Sequence, residues 1–89
     1  MKMKEGFVMR EVAGQYVVIA IGEASKTFHG MIKLNRTGKD IWEGLENGFS
    51  EEQIVEMLSD KYQVEQADVE TDVEEFIGRM KDVGILADE

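Results

Sequence analysis

Three short apolar runs followed by three longer periodic ones organise this chain. Gly6–Val12 and Tyr16–Ile21 are rich in β-branched and aromatic residues. The Ala13-Gly14-Gln15 stretch between them offers a glycine for a positive φ, so the pair reads as a hairpin. The second run is apolar on both faces, the pattern of a strand in the middle of a small sheet. Gly22–Thr27 reads as a loop, and alternation returns from Phe28 to Leu34. There Phe28, Gly30, Ile32 and Leu34 share one face, and His29, Met31 and Lys33 share the other. This predicts a third strand, lying at a sheet edge.

The period then lengthens. Thr37-Gly38-Lys39-Asp40 fits a helix N-cap followed by an acid in the first turn, with Ile41, Trp42 and Leu45 as the apolar stripe. Asn47-Gly48 stops that helix with residues that tolerate a left-handed backbone. Ser50-Glu51-Glu52-Gln53 is a capping box, with Phe49 and Ile54 placed as its hydrophobic staple. Ile54, Val55, Leu58 and Tyr62 continue the stripe of the second helix. A third helix is predicted from about Gln66 to Asp82, with Val69, Val73, Phe76, Ile77 and Met80 on one side and Asp68 or Thr71 as alternative caps. Gly84 ends it, and Ile85-Leu86 is expected to fold back onto the core. The order β-β-β-α-α-α is an α+β layout: a three-stranded antiparallel sheet followed by three helices.

Length and composition restrict the function classes. Eighty-nine residues with 43% apolar content suit one small domain, residues 1–89, with a real core. Cysteine is absent, so neither disulfides nor thiolate metal ligands contribute. The charged start (Lys2, Lys4, Glu5) and the lack of a long apolar run argue against a signal peptide or membrane span, so a cytoplasmic protein is expected. The net charge of −9 is uneven: residues 1–36 hold six Lys/Arg against three Glu, and residues 37–89 four against sixteen acids. An acidic half disfavours phosphate backbones and anionic lipid, so neither nucleic acid nor a membrane is an expected partner.

Catalytic signals are lacking. His29 is the single histidine, on the predicted outward face, without a second histidine or a cysteine to complete a metal set. The glycines form no dinucleotide or Walker pattern, and Glu74/Glu75 are helical neighbours that point in different directions. Asn35-Arg36-Thr37 matches a glycosylation sequon but is read as the helix-capping corner. No catalytic, cofactor or metal role is therefore assigned. Met57 and Met80 sit on apolar stripes and read as core, whereas Met31 on an exposed edge suits adaptable peptide contacts.

The run GMIKLNRTGKDIWEGLENGFSEEQIVEMLSDKY, followed by DVETDVEEFIGRMKDVGIL, resembles the PqqD family of small domains, also called RiPP recognition elements. The resemblance rests on Leu34-Asn35 at a strand end, Ile41-Trp42, Gly48 before the capped helix, Asp72 and Phe76, and the Gly84-Ile85-Leu86 ending, across roughly residues 6–86. It implies a winged helix-turn-helix-like domain that binds no nucleic acid. Such domains hold the leader segment of a ribosomally made precursor peptide and present its core to a modifying enzyme, often a radical-SAM protein. The leader adds as a strand beside the third strand and lies against the third helix. The short N-terminus and glutamate-rich helices point to a relative serving a peptide pathway other than that of the quinone.

The residues support that role independently, since an edge strand is a template for β-augmentation. The candidate peptide-binding residues are Phe28, His29, Gly30, Met31, Ile32, Lys33 and Leu34 on the edge strand, with Met31 and Lys33 as side-chain contacts. Asp72, Phe76, Arg79 and Met80 form the expected groove wall on the third helix, with core packing the equal alternative for Phe76 and Met80. Between Glu65 and Asp82 seven acids face only Arg79 and Lys81, so a leader bearing Lys or Arg would meet complementary charge. The competing readings are a winged-helix DNA-binding regulator, whose reading helix should be basic, and a structural domain docking an enzyme without touching peptide. A monomer or weak homodimer is expected, because an open edge also permits self-pairing.

Overall fold

The computed structural model describes residues 2–87; residues 1, 88 and 89 of the single-domain expectation lie outside the described residues. Strands β1 (Lys2–Met3) and β2 (Phe7–Val12) precede β3 (Gln15–Ala20). Ala13 (φ 51°) and Gly14 (φ 79°) join β2 to β3, both left-handed, the turn geometry whose twist matches the flanking strands. Strand β4 (Met31–Leu34) pairs antiparallel with β3, giving the order β2-β3-β4 with the doubly apolar strand in the centre, as its sequence predicts. One sheet face, with Phe7, Met9, Tyr16, Val18, Ile32 and Leu34, packs against the helices.

The third strand is shorter than the alternation suggests. Phe28, His29 and Gly30 precede it. The Gly22–Lys26 stretch, expected as a loop, is a 3₁₀ helix, and the amides of both Thr27 and Phe28 donate to the Ala24 carbonyl (3.3 and 3.0 Å). Those backbone donors are therefore spent locally, and the ladder starts only at Met31.

Helix α1 (Arg36–Glu46) is capped two residues earlier than predicted. The Asn35 side chain, not Thr37, accepts from the Gly38 amide at 2.8 Å, which puts Thr37 inside the first turn. Helix α2 (Glu51–Tyr62) carries the predicted capping box: Ser50 Oγ accepts from the Gln53 amide (3.2 Å), and Gln53 Oε1 accepts from the Ser50 amide (2.8 Å). Helix α3 (Gln66–Asp82) begins after Glu65 without a side-chain cap, so Asp68 and Thr71 are interior positions. Past Gly84 the chain turns inward, burying Ile85 and Leu86. Strand β5 (Leu86–Ala87) then pairs with β1, an element the sequence pattern does not announce.

Trp42, Ile41, Ile54, Leu58, Met80, Ile85, Val18 and Val73 are fully buried and fill the space between sheet and helices. Gly44 allows α1 and α2 to approach: a Cβ there would stand 3.0 Å from Ile54 Cγ1. A buried carboxylate ties the same two helices. Asp40 (2% exposed) accepts hydrogen bonds from Lys61 Nζ (2.9 Å) and from the Tyr62 hydroxyl. Burial opposes the Asp40 charge, but the bonds from Lys61 and Tyr62 and the fields of Lys61 and Lys39 outweigh it, leaving the carboxyl below its ordinary pKa.

Candidate functional site: an open strand edge beside a helical cleft

The outward-facing groups of β4 follow from the hairpin. The Ile21 amide donates to the Gly6 carbonyl at 2.7 Å, extending the β2–β3 pairing by one residue. Backbone groups alternate sides along a strand, so those of Ile19 and Val17 also face β2, and those of Tyr16 and Val18 face β4. Tyr16 pairs with Leu34 and Val18 with Ile32, so Leu34 and Ile32 turn their amides and carbonyls inward. The amides and carbonyls of Met31 and Lys33 therefore point away from the sheet. Strand β4 is last in the order, and among the described residues no strand lies beyond it. The edge thus offers two donors and two acceptors, from Met31 and Lys33.

Clefts lie at both ends of this edge. Past Leu34, a cleft of about 200 Å³ is lined by Asn35, Thr37, Gly38 and Ile41 from the start of α1 and by Asp72, Glu75, Phe76 and Arg79 from α3. Its floor is apolar: Ile41 and Phe76 are nearly buried. Gly38 makes that floor possible, because a Cβ there would stand 3.3 Å from the Phe76 ring. Its rim is charged, with Asp72, Glu75 and Arg79 exposed. Before β4, a second cleft of about 420 Å³ includes Phe7, Phe28, Ala24 and, from beyond α3, Val83. Phe28 meets Phe7 edge-to-face, ring centroids 5.5 Å apart at 81°. Asp72, Phe76, Arg79 and Val83 follow each other at intervals of four, three and four residues, so one stripe of α3 connects the two clefts.

The structure distributes the predicted residues as follows. Asp72, Phe76 and Arg79 share one cleft. Ile32 and Leu34 point into the core face. Met31 (59% exposed) and Lys33 project from the opposite sheet face while their main chains face the free edge. Phe28 belongs to the second cleft, and His29 and Gly30 are exposed in the connection. The groove-wall expectation for Met80 is corrected: at 0% exposure it is a core residue, and it offers nothing to the cleft. Sequence reasoning missed Asn35, Thr37, Gly38, Ile41, Glu75 and Val83 as lining residues. Glu75 and Val83 were findable, since they extend the Asp72–Arg79 stripe; the α1 residues reach the cleft only through the packing of α1 on α3.

A sheet whose β4 edge is unpaired, with an apolar-floored cleft against a helix at one end of it, defines a class of small domain suited to accept an extended chain. The chain belongs to the PqqD family: the family model described as coenzyme PQQ synthesis protein D matches residues 8–86. Among solved structures it is similar to TbiB1, determined in complex with the TbiA(beta) leader peptide, with a TM-score of 0.79 and 24% identity. That alignment covers 100% of this chain and 98% of TbiB1. No protein of curated function matches the sequence.

Proposed function

We propose that this chain is a non-catalytic adaptor that captures the leader segment of a ribosomally synthesised precursor peptide. The leader adds as a fourth strand at β4, beside α3, and is presented to a modifying enzyme of the radical-SAM type in the cytoplasm. The observation that carries the reading is the main chain of Met31 and Lys33 facing outward next to a cleft with an apolar floor. Main-chain bonds supply affinity there, and the clefts supply selectivity. The Phe28–Phe7–Val83 end suits an apolar leader side chain. The Asp72 and Glu75 rim suits a Lys or Arg, while Arg79 on the same rim tempers that charge. Membership of the PqqD family, and a shared fold with a protein solved holding a leader peptide, support the assignment. An acidic α3 weighs against duplex DNA.

Amide hydrogen exchange tests this directly. In the free protein the amides of Ile32 and Leu34, bonded to β3, are expected to exchange slowly, and those of Met31 and Lys33 fast. Adding a synthetic leader peptide is expected to slow Met31 and Lys33 by about a hundredfold or more, as ladder bonds form. Bound peptide that leaves both amides unprotected would overturn strand addition.

A further inference from the structure

The sheet has a second face, turned away from the helices, whose composition differs from the rest of the molecule. Cross-strand pairing sets it out in rows: Val8–Ile19–Met31, then Arg10–Val17–Lys33, then Val12–Gln15 at the hairpin end. Val12 and Met31 are 56% and 59% exposed, and Ile21, next on the same side of the chain, is 43% exposed. Arg10 and Lys33 flank Val17, and no strand residue on this face carries a carboxylate, although the chain bears a net charge of −9. The acids gather instead on α2 and α3, where Glu51, Glu52, Glu56, Glu70 and Glu74 line one open cleft. An apolar sheet face bearing two cations and no acid is unlike an ordinary solvated surface.

Charge and geometry select the occupant. A second copy stacked face to face through a twofold axis would bring four cations into one interface, which like-charge repulsion opposes. A polyanion would be met mainly by valine, isoleucine and methionine rather than by donors. The complementary surface is apolar and bordered by carboxylates. Met31 and Lys33 also connect the face to the strand edge: a chain added at β4 would extend the same face by every second one of its residues.

We propose that this outer sheet face docks a protein partner presenting an apolar patch bordered by Asp and Glu, and that this partner is the modifying enzyme. The inference rests on the adaptor reading above and adds where the enzyme sits: on the face that the captured leader prolongs, so that enzyme and leader touch each other across β4. Binding of either then favours binding of the other, and by linkage to the same extent.

The test uses Arg10→Glu and Val12→Asp on β2, the strand farthest from the peptide edge. Binding of the purified modifying enzyme that acts on the precursor is measured by calorimetry, with and without leader, and leader binding is measured separately. Both variants are expected to hold the leader as the unaltered protein does and to weaken enzyme binding at least tenfold, with Arg10→Lys restoring it. Unchanged enzyme binding in both variants overturns the proposal, as does a self-association that Arg10→Glu alters while the enzyme ignores the face. If the unaltered protein binds enzyme through this face but no leader, the adaptor reading fails and the docking face survives.

Discussion

A proline scan across neighbouring positions of β4 separates the two roles of that strand. Lys33 aims its amide at the free edge, and Ile32 aims its amide at Val18. In Lys33→Pro the lost donor is one the folded domain does not use, and edge strands tolerate proline. Ile32→Pro removes a ladder bond and also strips an apolar side chain that packs against the core. The edge provides two donors, so Lys33→Pro halves them and leaves one leader carbonyl without its partner. An unmet polar group of that kind costs about 1–3 kcal/mol, or roughly a 5- to 150-fold weaker complex. Thermal unfolding followed by circular dichroism should place Lys33→Pro within a few degrees of the unaltered protein, since its own ladder is intact. Ile32→Pro should fall by roughly 3 kcal/mol or more, from the ladder bond and the lost packing together. Leader affinity, read by fluorescence anisotropy of a labelled peptide, completes the comparison. Leader binding by Lys33→Pro at full strength would refute docking at this edge, and equal stability of the two variants would refute the assignment of which amides face outward.

Two further predictions concern stability. Gly78 lies inside α3 with nothing within 4 Å of the place a methyl group would take, so Gly78→Ala should stabilise by about 0.5–1 kcal/mol; Gly44→Ala, crowded by Ile54 at 3.0 Å, should instead lower the melting temperature despite the same gain in helix propensity. For Asp40, the folded-state carboxyl titrates below its ordinary value of 3.8, so its stabilisation is complete well above that pH and is lost as the pH falls through the folded-state value. Asp40→Asn should therefore cost roughly 1.5–3 kcal/mol near neutrality, with the gap to the unaltered protein narrowing below about pH 4 in urea titrations; a pH-independent gap would remove the carboxylate from the explanation.

Local chemistry is written along the chain wherever neighbours in sequence are also neighbours in space. The hairpin turn, the Ser50–Gln53 box, the α3 stripe and the inward return after Gly84 all belong to this kind, because a turn, a cap or a helical face needs only residues a few positions apart. The same holds for the central place of β3, since a run apolar on both faces is best shielded between two neighbouring strands, here β2 and β4. Sequence periodicity also placed Ile32 and Leu34 on the core side and Met31 and Lys33 on the other.

Other features depend on partners distant in sequence, and periodicity carries no record of those. The late start of β4 follows the 3₁₀ helix before it, where the Ala24 carbonyl takes the Phe28 amide that a strand beginning at Phe28 would give to the ladder. Pairing of Lys2–Met3 with Leu86–Ala87 joins two segments too short to have a period of their own. Met80 and Phe76 both lie on the apolar side of α3, yet one is sealed in the core and the other floors a cleft, a distinction set by how α1 crosses α3 at Gly38. Read residue by residue, the chain specifies a strand with a buried side and an exposed side, followed by a helical cluster with an acidic flank. That the exposed main chain of this strand opens beside a cleft emerges from packing, because a hydrogen-bonding vacancy exists only relative to the strands and helices assembled around it.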